Sequence, residues 1–314
     1  MPTPTFPDPA EVRIALSAGR HDRAGHRRAD EAWLARAWAD TETRVVVVAG
    51  ARFMVDEEPA RVRWLSPPEV VRAYADGRRL FLGEKDDRAW FAWVVADGYA
   101  DVEPAGTDGT VRWTSFRQVL AQLDVDDAGL MVHAVALAQW LRSHVHCPRC
   151  GGLLEVADAG HTQRCTVCGR QQFPRADPAV IMLVTDGERA LLGRQSQWPQ
   201  GRYSTLAGFV DPGESFEQAV VREVAEETGV QVGEVRYFGN QPWPFPASLM
   251  IGFFARATST EIIVDGDELS DARWFTRAEV EEQTRAGTLL LPGGVSISRT
   301  LVEAWYGGRL PGQW

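Results

Sequence analysis

Short apolar runs and amphipathic stretches alternate along the whole of this 314-residue chain. In the first half, the valine-rich run 44–48 predicts a buried strand. Segments 79–82 and 89–95 are strand-like and flank Glu84, Lys85, Asp86 and Asp87, which predicts a hairpin turn. A helix follows over about 129–144, with Leu130, Val135, Leu137 and Leu141 at its apolar positions. In the second half, the near-continuous apolar run 179–184 suits a central strand, with 190–193 as its partner. Residues 203–209 lead into a loop, 235–238 and 249–255 read as further strands, and 273–275 as a short one. Helices are expected over 276–286 and 296–306.

The best-specified helix begins after Gly208-Phe209-Val210-Asp211-Pro212-Gly213. Ser215 and Gln218 form a capping box, and Gly229 is placed to end the helix in a left-handed conformation. Val220, Val221, Val224, Ala225 and Thr228 project to one side, while Glu223, Glu226 and Glu227 share another face. Three like charges on one face are costly unless cations neutralise them. Hard divalent cations with oxygen ligands do so, and Mg²⁺ commonly pairs with substrate phosphates. A glutamate-rich helix on its own is most simply a solvated face, so the spacing of the surrounding residues has to decide the reading.

Composition adds boundaries. Apolar residues at 45% and charged residues at 24% are globular values, and the length accommodates two domains. The net charge of −10 disfavours nonspecific nucleic-acid binding. The N-terminus has no basic segment followed by an apolar run, and no stretch approaches the ~18 apolar residues of a membrane span. A cytoplasmic protein is therefore expected. The Pro-rich start and the Arg/His cluster from Arg20 to Arg28 read as surface features.

All four cysteines fall together, as Cys147-Pro-Arg-Cys150 and Cys165-Thr-Val-Cys168, with Gly151 and Gly169 behind them. Two C-x2-C knuckles at this spacing suit a tetrahedral structural Zn²⁺ site with no open position. Two disulfides or unrelated thiols are the alternative. His144, His146 and His161 lie near enough in sequence to compete as ligands, although solvated neighbours is the simpler reading. Farther along, Asn240-Gln241-Pro242-Trp243-Pro244-Phe245-Pro246-Ala247-Ser248 alternates proline with aromatics. It should be a stiff loop and not a central strand, because proline lacks the N–H. From these residues alone, a ring-stacking platform and a polyproline-like surface loop are equally open.

Residues 208–230 match the Nudix box, G-x5-E-x7-R-E-U-x-E-E-x-G-U with U apolar, at every fixed position. The loop resembles the SQPWPFPxS segment of NADH pyrophosphatases, a family that also carries a four-cysteine ribbon ahead of the box. Box, ribbon and loop occur here in that order, and the resemblance runs from about Arg117 to the C-terminus. It implies an α/β (α+β) chain: an N-terminal mixed scaffold or dimerisation domain over 1–140, a zinc ribbon over 141–172, and a Nudix α/β/α sandwich over 173–314.

The activity implied is metal-dependent hydrolysis of NAD(H) to NMN(H) and AMP. Removal of NAD caps from RNA 5′ ends is the same bond cleavage and is not separable by sequence. Another Nudix substrate such as ADP-ribose, or a noncatalytic Nudix-type binding protein, is the alternative. By resemblance, Glu223, Glu226, Glu227 and Glu268 hold Mg²⁺ or Mn²⁺, with Glu226 binding metal or activating water, and Arg222 pairs with Glu214 to brace the loop. Arg117, Phe173, Ala207, Phe209, residues Gln241, Pro242, Trp243, Pro244, Phe245, Pro246, Ala247 and Ser248, and Ser298 correspond to substrate-facing positions. A homodimer is also implied. Phe173 stands where the family often has Tyr, Asn240 where it has Ser, Ala247 where it has a polar residue, and Gly160 where its ribbon has Glu. These departures leave the chemistry intact and bear on substrate preference.

Overall fold

The computed structural model describes residues 13–17, 19–104, 109–264 and 266–312. The Pro-rich start read from the sequence lies outside the described residues, apart from its last few positions. The chain divides into two compact units. One comprises residues 1–17, 177–242 and 248–314, and the other residues 18–176 with 243–247.

In the first unit, the central strand Asp177–Thr185 runs parallel to Ser248–Ala257 and antiparallel to both Arg189–Gln195 and Leu206–Phe209. Leu269–Thr276 closes one edge and Val232–Trp243 the other. Because side chains alternate across a strand, one apolar run serves two cores. Ile181 and Leu183 pack with Leu192, Phe254, Ile297, Leu301 and Trp305. Val180, Met182 and Val184 pack with Leu191, Phe253, Ala219, Val220 and Val224. Helix Ile297–Tyr306 therefore lies on one face and helix Phe216–Thr228 on the other, which is a three-layer α/β/α arrangement.

The expected strand 235–238 is longer than the pattern indicated and continues through Pro242 to Trp243. This is compatible with proline because the strand is an edge, where the missing N–H breaks no ladder bond. The short strand at 273–275 likewise extends to Leu269–Thr276, paired along its length with Arg189–Gln195.

The second unit contains a mixed sheet ordered Arg61–Val62, Arg52–Asp56, Arg44–Ala49, Arg88–Val95, Arg78–Lys85, with Val111–Ser115 also paired to Arg52–Asp56. The expected hairpin is present, and Asp86 and Asp87 take the positive φ values its turn requires. The long helix is Val125–Ser143, capped by the Asp124 side chain on the N–H groups of Asp126 and Asp127. Three short strands, Leu154–Ala157, Thr162–Cys165 and Gln171–Gln172, form a small ribbon sheet. Among the described residues, no helix is long and apolar enough to cross a membrane.

Candidate active site

The box helix Phe216–Thr228 has the caps expected of it. Ser215 accepts from the Gln218 N–H, the Gln218 side chain accepts from the Ser215 N–H, and Gly229 sits at φ 70°. Its polar face differs from the sequence reading. Glu223 and Glu227 are only 8% and 6% exposed, whereas the Glu226 side chain is 60% exposed and Val221 lies at the surface. The buried arc of the helix runs from Ala219 through Glu223 and Glu227 to Val224, so the three glutamates do not form one solvated face.

The strand Leu206–Phe209 accounts for much of this enclosure. A Cβ on Gly208 would lie 1.9 Å from the Glu223 carboxyl carbon, so the backbone at Gly208 forms a cradle that only glycine leaves open. Burial pushes the Glu223 carboxyl above its usual range, against the pull of Arg222, and the charges of Glu226 and Glu268 add to the rise.

Arg222 ties the loop to the helix. It donates to both oxygens of Glu214 (3.1 and 2.5 Å), to Glu223 and Glu226 (2.9 Å each), and to the Phe209 carbonyl (2.9 Å). Glu214 also accepts from the Asp211 N–H at 2.7 Å. The Arg222 contact, with that backbone bond, holds the Glu214 carboxyl below its ordinary range. The sequence reading gave Arg222 one partner; the structure surrounds it with four carboxylates, Glu214, Glu223 and Glu226 by hydrogen bonds and Asp211 at 4.0 Å. Carboxylates gathered around one arginine, with Glu223 and Glu227 enclosed, have the oxygen chemistry that binds a divalent ion, but among the described residues only the four cysteines bring three or more ligand atoms together. Ala207 is half-buried, Phe209 exposed and Glu268 exposed.

Gln241 is fully buried, and its side chain is committed on both ends. Nε2 donates to the carbonyls of Ala15 (2.8 Å) and Val295 (2.7 Å), and Oε1 accepts from the Ile297 N–H at 3.0 Å. Ser298, also buried, is bonded to Ser204 Oγ (2.8 Å) and accepts from Thr205 Oγ1 (2.9 Å). The hydroxyl network around Ser298 has no signature in the sequence, because its members are about ninety residues apart.

Residues 243–247 group with the second unit. There the Arg117 guanidinium lies 5.5 Å from the Trp243 ring centre and 5.4 Å from that of Phe245. The two rings meet edge to face at 5.3 Å, and Phe116 packs 5.9 Å from Phe245. Arg117 and two loop aromatics, singled out separately in the sequence, thus form one cluster. Phe116 was not foreseen, since an apolar residue before an arginine carries no distinguishing signal. Phe173 is exposed.

In the ribbon, the four cysteine sulfurs all lie within 4.8 Å of one another, and none is in a disulfide. Cys147 and Cys168 are 3.8 Å apart and Cys150 and Cys165 3.5 Å, close to the sulfur separations of a tetrahedral thiolate site. Backbone N–H groups, that of Cys168 foremost, pull Cys165 down to about 6. Cys150 is lowered by the Gly152 N–H but raised more by neighbouring sulfurs, to about 11. Four thiols this crowded shed their protons together only around a cation. The histidines stay apart from this set: His161 is buried, not solvated, and Nε2 donates to the Phe81 carbonyl at 2.8 Å. Gly160 is at φ 98°, and a Cβ there would lie 2.5 Å from Leu80 Cδ2, so the ribbon has no room for the family's glutamate at this position.

Comparisons with known proteins bear on the family of the chain. Residues 175–290 match the model of the NUDIX domain, and residues 42–140 that of the NADH pyrophosphatase-like rudimentary NUDIX domain. The chain is 37% identical to the NAD-capped RNA hydrolase NudC of Mycobacterium bovis, over 92% of this chain and 94% of that protein. The chain belongs to the NudC family of Nudix hydrolases. The NudC of Stutzerimonas stutzeri is also 37% identical, over 88% of this chain and 92% of its own length. Human NAD-capped RNA hydrolase NUDT12 is 42% identical over 59% of this chain, a span that is 43% of that longer protein. A solved NUDIX hydrolase from Nitrosomonas europaea shares 20% identity, with a TM-score of 0.42, over 53% of this chain and 95% of that one. As a NudC-type protein the chain is an enzyme, and the match over residues 42–140 gives its N-terminal mixed sheet a family relation that no motif before Cys147 disclosed.

Proposed function

We propose that this chain hydrolyses the pyrophosphate bond of NAD(H), giving NMN(H) and AMP, and removes NAD caps from RNA 5′ ends by the same cleavage. The observation that carries this reading is the carboxylate set of the box helix, with Glu223 and Glu227 enclosed and Glu226 at the surface. Relatives named NAD-capped RNA hydrolase support it along nearly the full chain.

In this reading Glu223, Glu226, Glu227 and Glu268 hold Mg²⁺ or Mn²⁺. Such ions neutralise diphosphate oxygens and lower the pKa of a bound water. Arg222 and Glu214 keep the carboxylates and the Gly208 backbone in register. By the family resemblance, Phe173, Phe209, Trp243 and Phe245 offer ring faces to the nicotinamide and adenine, with Arg117 fixing the last two; Ala207, Pro242, Pro244, Pro246, Ala247 and Ser248 are carried over as substrate-facing, while buried Gln241 and Ser298 act by holding the backbone around them. The four cysteines hold a structural Zn²⁺. The enzyme is read as a homodimer, carried over from the family resemblance.

The test is product analysis after incubation with NADH and Mg²⁺ or Mn²⁺. Equal amounts of NMNH and AMP, suppressed by a chelator, are expected. Cleavage of ADP-ribose in place of NADH would move the substrate assignment to Asn240, Ala247 and Phe173. Retained activity in both Glu226→Gln and Glu227→Gln would remove the catalytic assignment.

A further inference from the structure

Both tracts that the sequence assigns to the surface are partly interior. In the Arg/His cluster, His21 is half-buried and stacks on buried His133, which in turn meets His161. At the end of the Pro-rich start, Ile14 packs on the apolar cluster that contains Phe238, Ile297 and Leu301, and Leu16 is buried. Ser17 Oγ donates to the Ile14 carbonyl at 2.7 Å and closes a turn. Within it Leu16 takes φ 69°, a left-handed conformation that residues other than glycine seldom adopt and that persists only where the surroundings enforce it.

Two contacts seat this turn on the edge strand Val232–Trp243. A Cβ on Gly239 would lie 2.2 Å from Ile14 Cδ1 and 3.6 Å from Ile14 Cγ1, so Ile14 fills the space that a side chain there would need. Beside it, the Ala15 carbonyl accepts from Gln241 Nε2. The other partners of the Gln241 amide are the Val295 carbonyl and the Ile297 N–H. All three partners lie outside residues 175–290, the stretch that matches the NUDIX domain. Gln241 is 1% exposed, so a lost partner leaves a buried polar atom unsatisfied, which is more costly than the bond itself is favourable.

We propose that residues 14–17 are a strap that positions Gln241, and through it the root of the 240–248 loop. This rests on the reading of that loop as substrate-facing. With the strap seated, both Nε2 protons are taken by carbonyls, and Oε1 is aimed at the Ile297 N–H. With the strap lifted, one proton loses its acceptor, and the amide turns to recover it at the expense of Ile297. That N–H opens the helix Ile297–Tyr306, where no preceding helical carbonyl can take it. Its exchange with solvent therefore reports on Gln241 directly. Ile14 and Ala15 are positioning residues: they act on the loop through the glutamine.

The test uses the full chain and three variants. Ile14→Asp puts a charge on the apolar seat and should lift the strap. Gly239→Ala should push on Ile14 with its new Cβ, to a smaller extent because Cδ1 ends a side chain that can turn. Gly239→Ala/Ile14→Val removes Cδ1 and makes room again. Hydrogen exchange around Ile297, followed by mass spectrometry, should be faster in Ile14→Asp, faster to a lesser degree in Gly239→Ala, and slowed again in the double variant. KM for NADH should rise about fivefold in Ile14→Asp with kcat held, as expected for lost ground-state binding worth one hydrogen bond. A merely structural role would lower the unfolding temperature and kcat and leave KM alone. Unchanged exchange at Ile297 in Ile14→Asp overturns the proposal, as does faster exchange with KM unchanged. If the unaltered chain leaves NADH intact, the substrate reading fails by itself, and the exchange measurement decides for or against the strap.

Discussion

A carboxylate as enclosed as Glu223 costs several kcal/mol unless positive charge reaches it. Arg222 supplies it on one side, and the Gly208 backbone lies close against the carboxylate. Gly208→Ala should displace the carboxylate by its own Cβ and lower turnover about 100-fold, as expected for an ångström-scale misplacement. Kinetics on NADH with a parallel melting curve would check that the fold survives. Arg222→Lys makes a different point. An ammonium cannot reproduce the planar fork that joins Glu214 on one side to Glu223 and Glu226 on the other. Activity should fall sharply although the formal charge is kept, and added salt should not restore it.

At the scale of elements, the ribbon and the box helix were the most legible parts. Their signals are local: a C-x2-C pair and a capping box specify a turn or a helix end within four residues. The face of the box helix was less legible, since glutamate spacing gives angular position and not what packs there. The enclosing strand belongs to the same loop-helix motif, yet only its approach to Glu223 shows why Gly208 must be glycine. Short strands such as Arg52–Asp56 and Arg61–Val62 passed unread, because a few residues without turn signals do not establish a period. The ribbon offers its own check. One equivalent of zinc per chain is expected, and Cys150→Ser should reduce metal content and lower the unfolding temperature by several degrees, as measured by elemental analysis and calorimetry.

At the scale of the whole molecule, the buried imidazoles set an acid limit. Their folded-state pKa values lie below the unfolded value of 6.5, so the unfolded chain binds more protons in the interval between. Stability should fall as pH drops from about 6.5 towards about 4, by roughly 3 kcal/mol from His161 alone. Denaturant midpoints across that interval would show it, and His161→Asn should flatten the slope. The bracing of the loop belongs to the same scale, because the cluster that fixes its rings is drawn from segments far apart in sequence. Arg117→Ala removes a cation–π contact worth about 0.5–2 kcal/mol and should raise KM for NADH more than it lowers kcat.

The grouping of Trp243 to Ala247 with residues 18–176 also bears on how such a chain can be taken apart. A catalytic half excised at the ribbon would keep its box but leave behind Arg117 and Phe116, the residues that hold the loop's rings. Transplanting the braced loop into another Nudix scaffold therefore requires a graft of two separate stretches of chain. Insertion of the 240–248 peptide alone would carry the aromatic residues without the means of orienting them.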